Sequence, residues 1–205
     1  MERYKPCELI SWARFQNLSR LLANKIRQSK FEPEIIVAIG RGGYMPARLL
    51  SDYFGNMDLT SFKIEHYRGS QKHATAVVQY PLIANVQDRR VLLVDDVSDS
   101  GDTFQVAIEH VSQCGTPAEL KTAVLHHKTT SNYLPDYYAQ KIIKWRWIIY
   151  PWAITEDIGS FVGSELTLPV SVEQIAAHMK SYHGISVTEQ QIQDALALLH
   201  ESSVT

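Results

Sequence analysis

Four apolar residues in a row, Val91-Leu92-Leu93-Val94, run directly into two carboxylates, Asp95 and Asp96. The run has no polar alternation. It reads as a strand covered on both faces, the situation of a parallel sheet flanked by helices. The strand is expected to end at the two acids. Ser98, Ser100, Gly101 and Thr103 follow within six residues, and helical periodicity begins near Phe104. The free N–H groups and positive end of that helix favour an anion, a phosphate above all. Gly101 lets the backbone approach it closely. The acids offer a place for hydroxyls or a metal beside it. A strand ending in a solvated acidic turn is the plainer reading, since Asp is common in turns. It leaves three hydroxyls and a glycine at a helix start without a reason.

A second stretch repeats the pattern. Ile35 to Ile39 is another unbroken apolar run, Gly40-Arg41-Gly42-Gly43 follows, and Pro46 opens a helix that stops before Gly55. Glycine-rich loops between strand and helix bind anions through backbone N–H groups. This one is neither a Walker loop nor G-x-G-x-x-G, because Met45 takes the last glycine position and no Gly-Lys-Ser/Thr follows. A tight turn is the alternative.

The rest of the chain fits around these two units. Leu9 to Lys30 is expected to be a helix, with Leu18, Leu21, Leu22 and Ile26 on one face. Thr60–Tyr67 and Thr75–Gln79 are rich in β-formers, with a polar connection from Arg68 to His73. A helix is expected over Thr103–Gln113, ending at Gly115. Strands are expected over Leu120–Leu125, with Lys128 just past its end, and over Ile142–Tyr150. Tyr133–Tyr138 reads as a loop. Alternating strands and helices argue for a parallel α/β sheet. Ligands in such sheets bind beyond the carboxyl ends of the strands, where Gly40–Gly43, Asp95–Thr103 and Lys128 all fall.

The last 40 residues change character. Ser171-Val172-Glu173-Gln174 and Ser186-Val187-Thr188-Glu189 each fit a capping box. Two short helices follow, near 172–182 and 188–200, with Gly184 between them. A DNA-reading helix pair is disfavoured: Glu189, Asp194 and Glu201 lie on the second helix, which has no Lys or Arg. Ile175, Ala176 and Met179 in one helix and Ile192, Ala195 and Leu198 in the other recur at helical spacing and require a docking partner. The expected division is 1–163 for a main domain, with its motifs in 34–158, and 164–205 for a helical appendage.

Composition narrows the function. With 205 residues, 45% hydrophobic and 20% charged, the chain can bury a core. A formal net charge of −2 gives no electrostatic case for nucleic acid or an anionic membrane. No apolar run is long enough to span a bilayer, and the N-terminus lacks a signal-peptide core. Cys7 and Cys114 fit no metal spacing. His126 and His127 are adjacent on a strand and so face opposite ways. A cytoplasmic enzyme with reduced thiols is expected.

The stretch Val91–Thr103 resembles the phosphoribosyl-pyrophosphate (PRPP) motif of type I phosphoribosyltransferases: four apolar residues, two acids and a loop ending in T-G-x-T, here Ser100-Gly101-Asp102-Thr103. The substitution of Ser for Thr keeps the hydroxyl. The resemblance covers residues 34–158 and implies a parallel-sheet, Rossmann-like α/β core with a small hood and the C-terminal appendage. Ser98, Asp99, Ser100, Gly101, Asp102 and Thr103 would cradle the 5-phosphate. Asp95 and Asp96 would hold the ribose hydroxyls, directly or through water retained by Mg²⁺, the implied cofactor. Arg41, Gly42 and Gly43 would bind pyrophosphate, with Arg68 and Lys72 reaching it from a closing loop.

Asp99, three residues after the acid pair, resembles the general base of the 6-oxopurine branch, which takes the N7 proton as N9 attacks. Lys128 and Trp147, 19 residues apart, match the residues that read purine O6 and stack on the base in bacterial xanthine–guanine enzymes, with Ile148 as a backbone contact. Charge-assisted hydrogen bonding to O6 favours oxopurines over adenine. Core packing beside Trp145 and Trp152 is the alternative for Trp147. Six residues after Trp147 the branch usually carries an acid, whereas this chain has Ala153, with Glu156 and Asp157 nearby. That departure leaves the choice among hypoxanthine, guanine and xanthine open. The implied partners are PRPP, a purine base and pyrophosphate, in a homo-oligomer, dimer or tetramer, without nucleic acid or membrane. A PRPP- or nucleotide-binding regulator of the same fold, or a transferase for another base, is the competing reading.

Overall fold

The computed structural model describes residues 5–67 and 75–202. Its elements in chain order are β1 (Cys7–Leu9), α1 (Trp12–Gln28), β2 (Ile35–Gly40), α2 (Tyr44–Phe54), β3 (Leu59–Tyr67), β4 (Thr75–Tyr80) and β5 (Arg90–Ser98). Then come α3 (Asp102–Gln113), β6 (Glu119–Lys128), β7 (Tyr137–Ile142), β8 (Trp147–Ile149), α4 (Ile154–Glu165), α5 (Val172–His178), a π-helical turn (Met179–His183) and α6 (Glu189–Ser202). These fall into two compact units, Gln16–Lys144 and the pair Met1–Phe15 with Trp145–Thr205. Gly163, the boundary expected from sequence, lies inside α4.

The unit Gln16–Lys144 is built on a six-stranded sheet of order β4-β3-β2-β5-β6-β7. All neighbours are parallel except β4, which runs antiparallel to β3. The two apolar runs are the two central strands. Every residue of β2 is buried, and Val91 to Val94 of β5 are fully so, as unbroken apolar strands require in a sheet covered on both faces. From β2 the chain first adds β3 on one side and later β5 on the other. The β2–β5 boundary is therefore the switch point at which the connecting loops part and leave a crevice. The register Ala38↔Val94 sets Gly40–Gly43 beside Asp95 and Asp96.

Strand ends differ from the expected ones. β5 continues to Ser98, so the two acids lie within the strand; Val97 and Ser98 find partners in His126 and His127 of β6. β6 likewise extends through Lys128. Tyr137–Ile142, expected as a loop in its first part, is the edge strand β7, parallel to β6.

The expected strand Ile142–Tyr150 splits. Ile142 ends β7 in one sheet, and Trp147 begins β8 in another. Trp145 precedes β8, so it does not alternate with Trp147 along one strand. The partner of β8 is β1, a three-residue parallel strand in which Cys7 pairs with Trp147. This pairing also delays α1 from the expected Leu9 to Trp12: Trp147 N–H donates to Pro6 O at 2.8 Å and Ile10 N–H to Ile149 O at 2.9 Å.

In the unit that holds β1 and β8, α4 was absent from the sequence-based expectation. It contributes Ile158, Phe161 and Val162 to a buried cluster with Ile149, Ile175, Met179, Ile185, Ile192 and Ala195. The apolar faces of α5 and α6 thus dock on their own chain. Leu198, from the expected stripe, stays 39% exposed. The first capping box is present, with Ser171 and Gln174 bonding reciprocally. The second forms two residues later than expected, between Thr188 and Gln191. No helix among the described residues is long and apolar enough to cross a membrane.

Candidate active site

At the carboxyl end of β2, Gly40–Arg41 is a cis peptide, and Gly43 N–H donates to Ile39 O at 2.8 Å as the chain turns into α2. Two glycines are needed for space. A Cβ on Gly42 would stand 2.7 Å from the Asp96 carboxylate, and one on Gly43 would meet the backbone oxygens of Ile39 and Val94. The turn therefore packs directly against the acidic strand, and Arg41 is exposed beside it.

Asp95 is 9% exposed, and its Oδ1 accepts the N–H of Asp96 at 2.9 Å. Burial, with the neighbouring Asp96 charge, pushes its carboxyl well above the ordinary carboxylate range, although the Asp96 N–H bond pulls the other way. Asp96 is more open and lies against Gly42. The two acids thus differ in exposure, and as consecutive residues of β5 their side chains fall on opposite faces.

The expected phosphate loop begins after Ser98. Ser98 itself is buried, and its hydroxyl is taken up by Ser131 Oγ at 2.7 Å and Tyr133 O at 3.2 Å. Its side chain braces the loop. Ser100 Oγ donates to Asp102 Oδ2 at 3.0 Å, and Asn132 N–H donates to Ser100 O at 2.8 Å. Gly101 caps α3 with φ of 100°, a region that favours glycine. A Cβ there would also come within 2.7 Å of Tyr133 N. Tyr133 stacks on Phe104 with centroids 4.9 Å apart, holding the loop against the first turn of α3. Ser131 and Tyr133 were not anticipated from sequence. The Ser131 hydroxyl and the Tyr133 carbonyl support the loop from a distant segment, which local spacing does not reveal.

Asp99 and Lys128 are brought together. Lys128 Nζ donates to Asp99 Oδ2 at 2.6 Å. The Lys128 side chain is 2% exposed and that of Asp99 is 41% exposed. A buried ammonium is thus delivered up the inside of β6 to a carboxylate that opens to solvent. The five-residue segment Asp99–Thr103 then offers the N-terminus of α3 and small groups to an anion.

Trp147 and Ile148 belong to the other unit. Trp147 is 39% exposed, so it is not a core residue, whereas Ile148 is buried. The indole N–H of Trp147 donates to Asp157 Oδ1 at 3.1 Å, and Phe161 meets the ring edge-on at 6.4 Å. Burial raises the Asp157 carboxyl to about 6; the Trp147 bond lowers it less, and Glu156 adds to the rise. Ala153 sits at the N-cap of α4, and Asp157 occupies the first turn. Trp152 instead stacks with Tyr150 at 4.8 Å and meets Phe15 and Trp12. Arg68 and Lys72 lie outside the described residues.

Comparison with known proteins gives a consistent result. A family model described as the phosphoribosyl transferase domain matches residues 10–157. Xanthine-guanine phosphoribosyltransferase of Gluconobacter oxydans is 29% identical over 145 residues, covering 70% of this chain and 82% of that protein. Hypoxanthine-guanine phosphoribosyltransferase of Saccharomyces cerevisiae is 24% identical, covering 74% of this chain and 87% of the yeast protein. The crystal structure of a purine phosphoribosyltransferase from Pyrococcus horikoshii matches at 30% identity with a TM-score of 0.64, covering 80% of this chain and 97% of that one.

Proposed function

The chain belongs to the phosphoribosyl transferase domain family, and from that premise we propose that it moves the 5-phosphoribosyl group of PRPP to N9 of a 6-oxopurine. The C1–oxygen bond to pyrophosphate breaks, the N9–C1 bond forms, and the N7 proton of the base passes to Asp99. The fold is the type I phosphoribosyltransferase α/β fold, and the relatives are named for xanthine, guanine and hypoxanthine.

The observation that carries the choice of base is the 2.6 Å pair of Lys128 and Asp99. In a 6-oxopurine, O6 and N7 lie side by side on one edge. A free base with its proton on N7 presents an acceptor next to a donor. Lys128 supplies the donor for O6 and Asp99 the acceptor for N7–H, in matching order. Adenine would set its 6-amino donor against the Lys128 ammonium. Taking the N7 proton as N9 attacks keeps positive charge from building on the base. Trp147 and Ile148 are assigned to the base by their place in the motif; an exposed indole oriented by Asp157 suits that role.

Asp99, Ser100, Gly101, Asp102 and Thr103 are assigned to the 5-phosphate, with Ser98 as their brace. Arg41, Gly42 and Gly43 are assigned to pyrophosphate, as are Arg68 and Lys72 by the motif alone. Asp95 and Asp96 give an all-oxygen donor set next to that turn, which fits Mg²⁺ with retained water. When bound, the ion would offset charge on the leaving pyrophosphate. A homo-oligomer in the cytoplasm, without a nucleic-acid partner, completes the proposal on the family resemblance.

The test is release of pyrophosphate from PRPP and Mg²⁺ with hypoxanthine, guanine, xanthine and adenine in turn. Turnover with one or more oxopurines and none with adenine supports the reading. Turnover with adenine alone refutes the base assignment. Tight PRPP binding without turnover on any base points instead to a regulator.

A further inference from the structure

A second cluster of titratable groups lies far along the chain from the PRPP motif, around Glu165. One oxygen of this carboxylate, Oε2, is approached by two imidazoles at once: His178 Nε2 at 2.9 Å and His183 Nε2 at 2.8 Å. We propose that Glu165, His178 and His183 form a binding site for one divalent transition-metal ion of the zinc class. The site is independent of the transferase reading and uses none of its residues.

The hydrogen-bond pattern of His183 is the first argument. Its Nδ1 lies 2.9 Å from the carbonyl oxygen of Lys5. A carbonyl accepts only, so Nδ1 carries a proton. In the neutral ring Nε2 is then a lone pair, and it is aimed at a carboxylate. Two lone-pair donors facing each other in a buried place require a cation between them, either a second proton on the ring or a metal ion. Nδ1–H bound to a backbone carbonyl is also the support that fixes a metal-ligating histidine with Nε2 outward.

The backbone is the second argument. His178 and His183 are five residues apart. On an α-helix that spacing turns their side chains about 140° away from each other. The π-helical turn Met179–His183 closes its bonds one residue later, and this extra residue brings both imidazoles onto one face. Gly184 at φ of 72° then ends the helix. A π turn lowers helix regularity, and here it yields convergence on Glu165.

The rings are also held. His183 stacks on Phe161 with centroids 4.4 Å apart, and His178 stacks on Tyr182 at 5.0 Å. His183 is fully buried. All three ligand atoms lie within 4.8 Å of one another. Neighbouring ligands of a tetrahedral zinc ion stand roughly 3.3 Å apart at bond lengths near 2.0–2.1 Å, so the set is of the right size. Two histidines and a glutamate, with water in the fourth place, form a known zinc donor set.

The neighbours are compatible. Cys7 Sγ lies 3.6 Å from Nδ1, on the far edge of the ring. It stands beside Nδ1, away from the Nε2 atom that faces Glu165. Lys5 Nζ stands 3.6 Å from the other carboxylate oxygen, but its side chain is 52% exposed and free to turn into solvent.

The experiment uses the full chain, stripped with a chelator and titrated with ZnCl₂, with metal content and melting temperature measured together. One Zn²⁺ per chain and a higher melting temperature are expected, and Co²⁺ in its place should give visible ligand-field bands. His183→Ala and His178→Gln should each weaken binding by more than the ~10–100-fold that loss of a supporting partner alone costs. His178→Gln is the milder change and keeps the test open if His183→Ala misfolds. Asp95→Asn should leave the Zn²⁺ affinity unaltered. No stoichiometric uptake would overturn the proposal and leave a proton on His183 Nε2 as the bridging cation. Uptake unaffected by His178→Gln, or abolished by Asp95→Asn, would overturn it equally.

Discussion

Asp95 and Glu165 are both carboxylates about nine-tenths covered, and their charges are treated in opposite ways. At Asp95, burial and the Asp96 charge outweigh one backbone N–H, and the carboxyl is raised. At Glu165 burial also pushes up, but hydrogen bonds from His178 and His183, with the charges of His183 and Lys5, win and hold it below its usual range. Asp157 falls between them, with one neutral donor, Trp147, that does not offset burial. Covering a carboxylate does not set its charge; the count and charge of its donors do. The comparison separates surroundings as well. At the β2–β5 edge the Asp95 carboxyl is raised by burial and by the charge of its neighbour Asp96. The helical cluster surrounds its acid with two imidazoles and the Lys5 ammonium.

If that division holds, damage at the first region should fall on turnover and damage at the second on stability. The largest effect is expected from Asp99→Asn. Loss of the general base should lower kcat ~10²–10⁴-fold, a larger effect than any weakening of PRPP binding, measured by steady-state kinetics and calorimetry. Full activity in this variant would remove the main support for the oxopurine assignment.

Next is Ile192→Ala, which opens a cavity in the cluster around α4, α5 and α6. Such truncations cost about 2–5 kcal/mol. Chemical unfolding should show that loss, while the folded fraction keeps its kcat. A variant that loses kcat without losing stability would break the comparison.

Lys128→Ala is expected to be smaller. A hydrogen bond to a charged donor contributes about 1.5–3 kcal/mol, so KM for the oxopurine should rise about 10–100-fold with PRPP affinity little changed. An equal loss of PRPP binding would place Lys128 elsewhere in the site.

The smallest effect concerns pH. Asp157 has a raised folded value of about 6 against an ordinary 3.8, so the folded chain holds this proton more tightly than the unfolded one. Its contribution to stability is present below pH ~4 and is lost as pH rises through 6, then stays level. Asp157→Asn should remove that slope from a pH series of unfolding midpoints. The indole N–H resonance of Trp147, bonded to Asp157, should titrate near pH 6 in the parent and not in the variant.

Central strands and the motif at their ends were legible because the signal is local. An unbroken apolar run, two acids, a glycine and a helix start all lie within 13 residues of Val91–Thr103. The same holds for α2 and its Gly55 stop, and for the Ser171 capping box. In each case one short segment meets its own hydrogen-bonding and burial needs, so neighbouring residue types report the outcome.

What sequence could not show depends on groups far apart in the chain. β1 and β8 are three-residue strands that exist because the 137 residues between Leu9 and Trp147 return to pair them. The Ser98 hydroxyl is bonded by Ser131 and Tyr133, 33 and 35 positions away. Asp99 and Lys128, 29 positions apart, become one ion pair only because β5 and β6 are parallel neighbours with Ser98 opposite His127. Glu165, His178 and His183 converge through a π turn that no local periodicity announces. Local patterning specifies which segments form strands and helices, because burial and backbone bonding act over a few residues. Which charges meet is set by sheet order and register, and those follow from the packing of the whole chain.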